Sequence, residues 1–479
     1  MSLFSPKRFK GAVISACKLL ITAMVVFAFI YTIYNYYPQT DFWFKGFVVF
    51  AFLYAALFML MVSFYRCFRI GTLRFREIIF SYYLVIFITN FIIYFVLSLT
   101  AKMLLDTVPL WTMTLVQICA GTLLYIGADR LYFVLYPARS SIVICSESRY
   151  ELGTLAKVGT MKERYKIEKV LSETLGYDAI TAQIMDYSTV FLGNVDRKLR
   201  RDLTDFCFEN NKRLLVMPSV EDIIFHNAHE TFIGDSLVYL CRNQAFSLEQ
   251  LAVKRLMDIA VSLIGIILTS PIMFFTAMII KLQDGGPILF KQVRYTRNLQ
   301  QFTMYKFRSM VIDAEKDGAR FTTQNDKRIT PFGKFMRRTR IDELPQFFNI
   351  LHGEMSLVGP RAERIENVDY YCELMPEFRY RMKVKAGLTG YAQIYGKYNT
   401  SYEDKLKLDM LYIENCSIVR DLQILFLTLN VLFIPESTEG FVVETLSDML
   451  KQEEQEAEKN TEQKAKEDAE QPVEISEQG

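Results

Sequence analysis

At 479 residues the chain is too long for one ordinary hydrophobic core, and two or three domains are expected. Half of it is hydrophobic and 14% is aromatic, a combination that points to a membrane protein with soluble parts. A net charge of +2 gives no overall drive toward nucleic acid, and the eight scattered cysteines form no CxxC pair, so neither a zinc ribbon nor a disulfide framework is readable.

Four long apolar runs come first: Leu19–Tyr37, Gly46–Tyr65, Ile78–Ala101 and Val108–Ala128. Each reaches the ~20 residues needed to cross ~30 Å of hydrocarbon. A signal peptide would be a single shorter run with a cleavage site. Lys7, Arg8 and Lys10 precede the first run; Arg66, Arg69, Arg74 and Arg76 lie between the second and third; Arg130 and Arg139 follow the fourth. The other two loops hold only Lys45 and Lys102. The positive-inside rule therefore puts the N-terminus, the middle loop and everything after the fourth run in the cytoplasm. No charge pair within the runs marks a transport pathway, so residues 1–138 read as four transmembrane helices that anchor or dimerise the protein.

Residues 139–245 are soluble in character. Ser141–Cys145, Val190–Leu192 and Arg213–Met217 read as short buried strands, with helix-like stretches at Met161–Leu175 and Arg197–Asn210 between them. The alternation predicts a small Rossmann-like α/β layer. The turn after its first strand lacks a G-x-G-x-x-G, which favours a scaffold or regulatory domain over a dinucleotide site. His226 and His229 could share a helix face, but satisfied or exposed histidines are commoner than a metal pair.

A fifth uncharged run, Ile259–Ile280, is long enough to span. Its flanks are basic on both sides: Lys254 and Arg255 before it, then Lys281, Lys291, Arg294 and Arg297. A true crossing would violate the positive-inside rule. Ser270-Pro271 sits mid-run, where proline removes an amide donor and a serine hydroxyl can cap the freed backbone. The expectation is a re-entrant helix over residues 254–282 that breaks at Ser270-Pro271 and returns to the cytoplasmic face. A proline-kinked span is the alternative.

Residues ~285–400 are dense in glycine, arginine and polar motifs. Asp342-Glu343 stands among Lys306, Arg308, Arg337, Arg338, Arg340 and Arg361, company that keeps a carboxylate ionised and suits a phosphorylated ligand. A lone acidic pair of this kind is usually a salt-bridged helix start; the surrounding motifs argue otherwise. KRxxD (Lys254, Arg255, Asp258), the mid-run Ser-Pro, KFRSM (Lys306–Met310), DELPQ (Asp342–Gln346), MSLVGPR (Met355–Arg361), GLTGYAQ (Gly387–Gln393) and DMLYIEN (Asp409–Asn415) follow one another in order. From about Leu251 to Phe433 the chain resembles the catalytic domain of the bacterial sugar transferase family, the polyprenyl-phosphate hexose-1-phosphate transferases. With the four upstream helices and the α/β segment it resembles the family's large form, as in undecaprenyl-phosphate glucose or galactose phosphotransferases. Tyr391 and Ala362 depart from the family's usual tryptophan and proline without touching a charged role.

The resemblance implies a mainly α catalytic domain over residues 246–446. It implies transfer of a sugar-1-phosphate from a UDP-sugar, UDP-glucose or UDP-galactose, to undecaprenyl phosphate with release of UMP. That step would initiate exopolysaccharide, capsule or O-antigen assembly at the cytoplasmic membrane of a bacterium. Asp342 matches the nucleophile that forms an aspartyl phosphosugar, and Glu343 matches the residue associated with Mg²⁺. Lys306, Arg308, Arg337 and Arg361 match basic residues expected to hold phosphates; Asp409 and Tyr412 match a DxxY whose role stays open. A homodimer in the lipid bilayer is expected, with no nucleic-acid partner. The physics agrees independently. A carboxylate with a reference pKa near 3.9 needs no activating base, but two unit charges ~4 Å apart repel by roughly 4 kcal/mol at an effective dielectric near 20. Mg²⁺ and an arginine cluster are the usual means of cancelling that repulsion.

Residues 417–434 are apolar but interrupted by Arg420 and Asp421, and read as an interfacial helix. The tail, residues 447–479, is rich in Glu, Gln, Lys and Asp and is expected to be disordered. Two other functions compete: a membrane glycosyltransferase releasing UDP, for which no Asp-x-Asp triplet stands in residues 251–445, and a non-catalytic membrane scaffold.

Overall fold

The computed structural model describes residues 6–37, 44–146, 163–241, 246–312, 314, 326, 328–396 and 400–433. The acidic tail and most of the turn after the first strand of the α/β segment lie outside these residues. Four helices come first: α1 (Pro6–Tyr36), α2 (Phe44–Tyr65), α3 (Phe75–Ala101) and α4 (Val108–Leu135). Each holds a stretch long and apolar enough to cross a membrane. Large apolar side chains such as Phe27, Phe52, Phe91 and Leu123 point outward, the surface expected of helices solvated by lipid. Polar side chains are turned in. The Tyr54 hydroxyl donates to Asn90 Oδ1 at 2.7 Å, and Asn90 Nδ2 donates to Thr114 Oγ1 and Gln117 Oε1, both at 2.8 Å. Gln117 Nε2 donates to the Tyr54 hydroxyl at 2.9 Å and to the Val25 carbonyl at 3.0 Å. All four helices contribute, and a network of this kind fixes their register because an unmet amide in apolar surroundings is costly.

The chain forms two compact units. One holds the α/β layer within residues 127–217. Its strands are β1 (Arg139–Cys145), β2 (Tyr165–Ser172), β3 (Thr189–Leu192) and β4 (Arg213–Val216), all parallel in the order β2-β1-β3-β4. Helices α5 (Tyr177–Ile184) and α6 (Arg197–Glu209) bury Ile180, Ile184, Leu203 and Cys207 against Ile142, Ile144, Val190 and Leu192. One expectation is corrected here: the stretch Met161–Leu175, expected as a helix, contains strand β2. Its apolar Tyr165 and Ile167 alternate with Lys166 and Glu168, and the period-two pattern pairs along β1 across an irregularity between Ser141 and Ile142.

The second unit contains residues 11–126 and 218–439. It begins with α7 (Val220–His226) and an antiparallel hairpin, β5 (His229–Ile233) and β6 (Ser236–Leu240). His226 ends the helix and His229 opens the strand, so the two share no helix face. Helix α8 (Leu248–Asp284) follows, then the hairpin β7 (Leu289–Tyr295) and β8 (Gln301–Phe307). The remaining elements are α9 (Pro331–Thr339), α10 (Gln346–His352), β9 (Ser356–Val358), α11 (Ile365–Leu374), β10 (Gly387–Thr389), α12 (Tyr391–Ile394), α13 (Tyr402–Glu414) and α14 (Ile418–Phe433). Their core gathers Phe302, Ile350, Leu357, Phe378, Met410 and Tyr412.

Helix α8 corrects a second expectation. It is one uninterrupted α-helix with Pro271 inside it rather than two pieces broken at Ser270-Pro271. The missing Pro271 amide would have bonded the Ile267 carbonyl four residues back. The Ser270 hydroxyl donates to that carbonyl instead, at 2.8 Å, so the ladder continues past the proline. Helix α14, expected at an interface, packs on the bundle: Asn430 Nδ2 donates to Ser81 Oγ on α3 at 2.6 Å, and Phe426 stacks on Phe64 of α2 at 5.5 Å.

Candidate active site

The site is built from the end of β8, the turn after α9 and the segment after β9. Helix α9 starts at a Thr330 cap and ends because Arg340 adopts a left-handed conformation (φ 58°). That reversal leads into a 3₁₀ turn, Ile341–Glu343, whose carboxylates face inward; Asp342 and Glu343 are each 8% exposed. Asn349 of α10 holds β8 against this turn, accepting from the Tyr305 amide at 3.0 Å and donating to the Thr303 carbonyl at 2.7 Å.

Arg361 is set by a close backbone crossing. β9 and β10 pair in parallel, Gly387 donates to the Pro360 carbonyl at 2.8 Å, and Gly359 donates to the Thr389 carbonyl at 2.9 Å. A Cβ on Gly387 would lie 2.1 Å from the Gly359 nitrogen, so two glycines must face each other here. Behind them, Arg381 donates to Asp409 Oδ2 at 2.6 Å and to the Arg361 carbonyl at 3.1 Å.

Glu343 is the hub of the charges. Its Oε1 accepts from Arg361 Nη2 at 2.7 Å and Lys306 Nζ at 3.1 Å, while Oε2 meets Arg340 only at 3.6 Å. Burial alone would raise its pKa, but Arg361, Lys306 and Arg340 outweigh burial and hold the carboxyl well below the usual range. Asp342 goes the other way: burial, then the Glu343 charge, push its pKa up, and Lys306, Arg337 and Arg361 only partly offset them. Cationic company was expected to dominate here, but Glu343 takes up much of it. Asp342 Oδ1 is buried and has no hydrogen-bond partner. That free oxygen and the loosely held Glu343 Oε2 fit a hard cation that takes one or two carboxylates and completes its shell with water and phosphate oxygens. No group of three or more metal-ligating residues occurs among the described residues.

The other expected residues divide. Lys306, Arg337 and Arg361 surround Asp342, and Arg337 Nε donates to Ser309 Oγ at 2.8 Å. Arg308 instead pairs with Asp284 at the end of α8, its guanidinium packed where a Gly286 side chain would stand. The KRxxD residues fasten α8. Lys254 donates to Asp421 Oδ2 at 2.5 Å and the Val358 carbonyl at 3.0 Å. Arg255 donates to the Ile350 and Leu351 carbonyls at the end of α10, both at 2.6 Å. Asp258 Oδ1 accepts from Ser356 Oγ at 3.1 Å and the Leu357 amide at 3.0 Å. Tyr412 donates to Asp421 Oδ1 at 2.8 Å, so both DxxY residues are buried supports. Asp284, Arg381 and Asp421 were missed in sequence. Only Asp421 gave a signal, as a charge interrupting an apolar helix.

The segment that carries this geometry, residues 249–435, matches the family described as bacterial sugar transferase. The chain belongs to that family. It is 44% identical over 181 residues to the UDP-N-acetylgalactosamine-undecaprenyl-phosphate N-acetylgalactosaminephosphotransferase of Aeromonas hydrophila, covering 37% of this chain and 43% of that protein. It is 36% identical over 221 residues to the UDP-glucose:undecaprenyl-phosphate glucose-1-phosphate transferase of Escherichia coli K12, covering 45% and 47%. The chain thus spans about half the length of these curated relatives. With the exopolysaccharide production protein PSS of Rhizobium leguminosarum bv. phaseoli it shares 40% identity over 199 residues, 40% of this chain and 98% of that protein.

Proposed function

We propose that the protein transfers a sugar-1-phosphate from a UDP-sugar to undecaprenyl phosphate, giving undecaprenyl-diphosphate-sugar and UMP. The observation that carries this reading is Asp342, a buried carboxylate with one oxygen unpartnered beside Lys306, Arg337 and Arg361. In this reading an Asp342 oxygen attacks the sugar-bearing phosphorus. The bond from that phosphorus to the bridging oxygen breaks, and its electron pair leaves with UMP. A phosphate oxygen of the polyprenyl acceptor then attacks the same phosphorus, takes the phosphosugar and frees the carboxylate. The nucleophile holds no proton to remove, so no general base is required. Arg361 and Lys306, fixed by Glu343, oppose the developing phosphate charge, and Arg337 adds its charge beside Asp342. Asp342 Oδ1 and Glu343 Oε2 would hold Mg²⁺, whose contribution when bound is to screen the diphosphate.

The same reading makes α8 a re-entrant element that keeps the site on the cytoplasmic face of a bacterial cytoplasmic membrane, in a homodimer. Two observations support the re-entrant part. Lys254 and Asp258 near one end of α8 bond the β9 segment, and Ala277 and Ile280 near the other pack with Phe307 and Met336 of the same unit, while Ile267, Leu268 and Phe274 between them are exposed. The relatives are named for different sugars, so the donor is set by experiment, with UDP-glucose and UDP-galactose first. Purified protein is incubated with undecaprenyl phosphate and a panel of UDP-sugars, and the nucleotide product is scored. UMP supports phosphosugar transfer, whereas UDP would indicate a glycosyltransferase. Labelled donor without lipid should leave label on the wild type and none on Asp342→Asn.

A further inference from the structure

Where the α2–α3 connection meets the GLTGYAQIYG block, four side chains form a stack. The Arg66 guanidinium lies 5.5 Å over the Tyr395 ring, Tyr395 stacks on Tyr391 at 5.3 Å and 24°, and Arg420 of α14 lies 5.9 Å over Tyr391. Arg69 stands close by. Burial raises the pKa of the Tyr395 hydroxyl, and Arg66, Arg69 and Arg420 pull it back. Among the described residues, none of these three guanidinium groups has a carboxylate partner.

The positive-inside rule accounts for arginines in this loop but not for this arrangement. Topology needs only charge on the cytoplasmic side. Here Arg66 is half-buried, adopts a left-handed backbone conformation (φ 56°) and lays its face on a ring. A guanidinium held by its face keeps its N–H edge free, and that edge matches phosphate oxygens. The place fits a lipid phosphate. Arg66 follows the last residue of α2, a helix long and apolar enough to cross a membrane. Tyr391 follows β10, and β10 is bonded to the segment that carries Arg361.

We infer that Arg66, Arg69 and Arg420 seat the phosphate of the membrane-anchored polyprenyl acceptor, so that the N-terminal bundle contributes to substrate binding. This rests on the proposed phosphosugar transfer. It gives the bundle a task beyond anchoring.

The test uses full-length protein in phosphatidylcholine nanodiscs, with undecaprenyl phosphate varied at saturating UDP-sugar. Arg66→Gln/Arg420→Gln should raise the KM for undecaprenyl phosphate about tenfold or more, as expected for lost charge-assisted bonds to phosphate. The KM for UDP-sugar and the lipid-free labelling of Asp342 should not move. Arg66→Lys, which keeps charge and ring contact, should fall between. A lipid KM equal to wild type overturns the inference. So does a parallel loss of labelling, which would make the stack a structural joint. So does a defect that appears only when phosphatidylglycerol is added, which would make the ligand bulk phospholipid. Equilibrium binding of undecaprenyl phosphate, read by native mass spectrometry on wild type and variant, decides the matter even if the protein turns over no UDP-sugar. Equal binding overturns the seat, whereas failure of wild-type turnover overturns only the reading of the function.

Discussion

Asp342 and Glu343 are neighbours in the chain, yet their carboxyl groups are pushed in opposite directions: burial and the Glu343 charge prevail at Asp342, whereas Arg361 and Lys306, bonded to Glu343, outweigh burial there. The consequence is a pH dependence with a definite sign. Asp342 attacks only when ionised, so labelling by UDP-sugar should fail on the acid side above the ordinary aspartate value of about 3.9. Glu343→Gln removes the second cause of that rise and frees two cations, so the acid limb should shift to lower pH as the amplitude drops. Stability runs the opposite way for Glu343. Its folded pKa is depressed, so the stability it adds is full above the unfolded value, about 4.3, and is lost as pH falls toward the folded one. Thermal melts at falling pH, with Glu343→Gln as the flat reference, check this. Gly387→Ala should be severe: its Cβ would strike backbone atoms of Gly359, open the β9–β10 crossing and move Arg361. Displacement of about 1 Å in a site of this kind costs roughly a hundredfold in rate, read as UMP release from protein that still melts cooperatively. The charged motif residues were legible in sequence. Their partners were not: Arg308 turns to Asp284, and Asp409 to Arg381, across separations that no local pattern encodes.

Among the elements, α8 shows how a helix can carry a proline without losing its ladder. With the Ile267 carbonyl taken by the Ser270 hydroxyl, Pro271 leaves no orphan carbonyl. Single-cysteine reporters near Gln250 and Gln300, in a cysteine-depleted protein, should label from the same side of the membrane. Replacing Ser270-Pro271 with Leu-Leu restores an amide donor and removes a penalty of about 3 kcal/mol, which should shift molecules toward a spanning form and lower activity. The foot of α8 depends on Lys254. Lys254→Met would strand Asp421, fully buried beside Tyr412, at a cost of about 3–5 kcal/mol, and Asp421→Leu added to it should recover most of the loss in a melt. The long apolar helices were plain in sequence because twenty apolar residues have few other uses. Strand β2 was not: its lysines and glutamate suit a helix until the neighbouring strand β1 supplies a partner.

At the scale of the whole molecule, the N-terminal bundle and the catalytic elements share one compact unit through α14, whose Asn430 and Phe426 reach α3 and α2. Sequence alone separated these parts by composition and gave no sign of the joint, because an asparagine in an apolar helix names no partner. The closed ring of Tyr54, Asn90 and Gln117, with Thr114 hung on Asn90, also sets an order of events in biosynthesis. Asn90 leaves the ribosome on α3 before Thr114 and Gln117 have been synthesised, so its side-chain amide enters the bilayer without either of them. Insertion of α3 is then provisional until α4 arrives. A nascent chain ended after Ala101 should hold α3 in the membrane less completely than one extended through Leu135, as read by protease protection, and Asn90→Leu should abolish the difference. If both lengths protect α3 equally, the ring does not govern the order in which the helices settle.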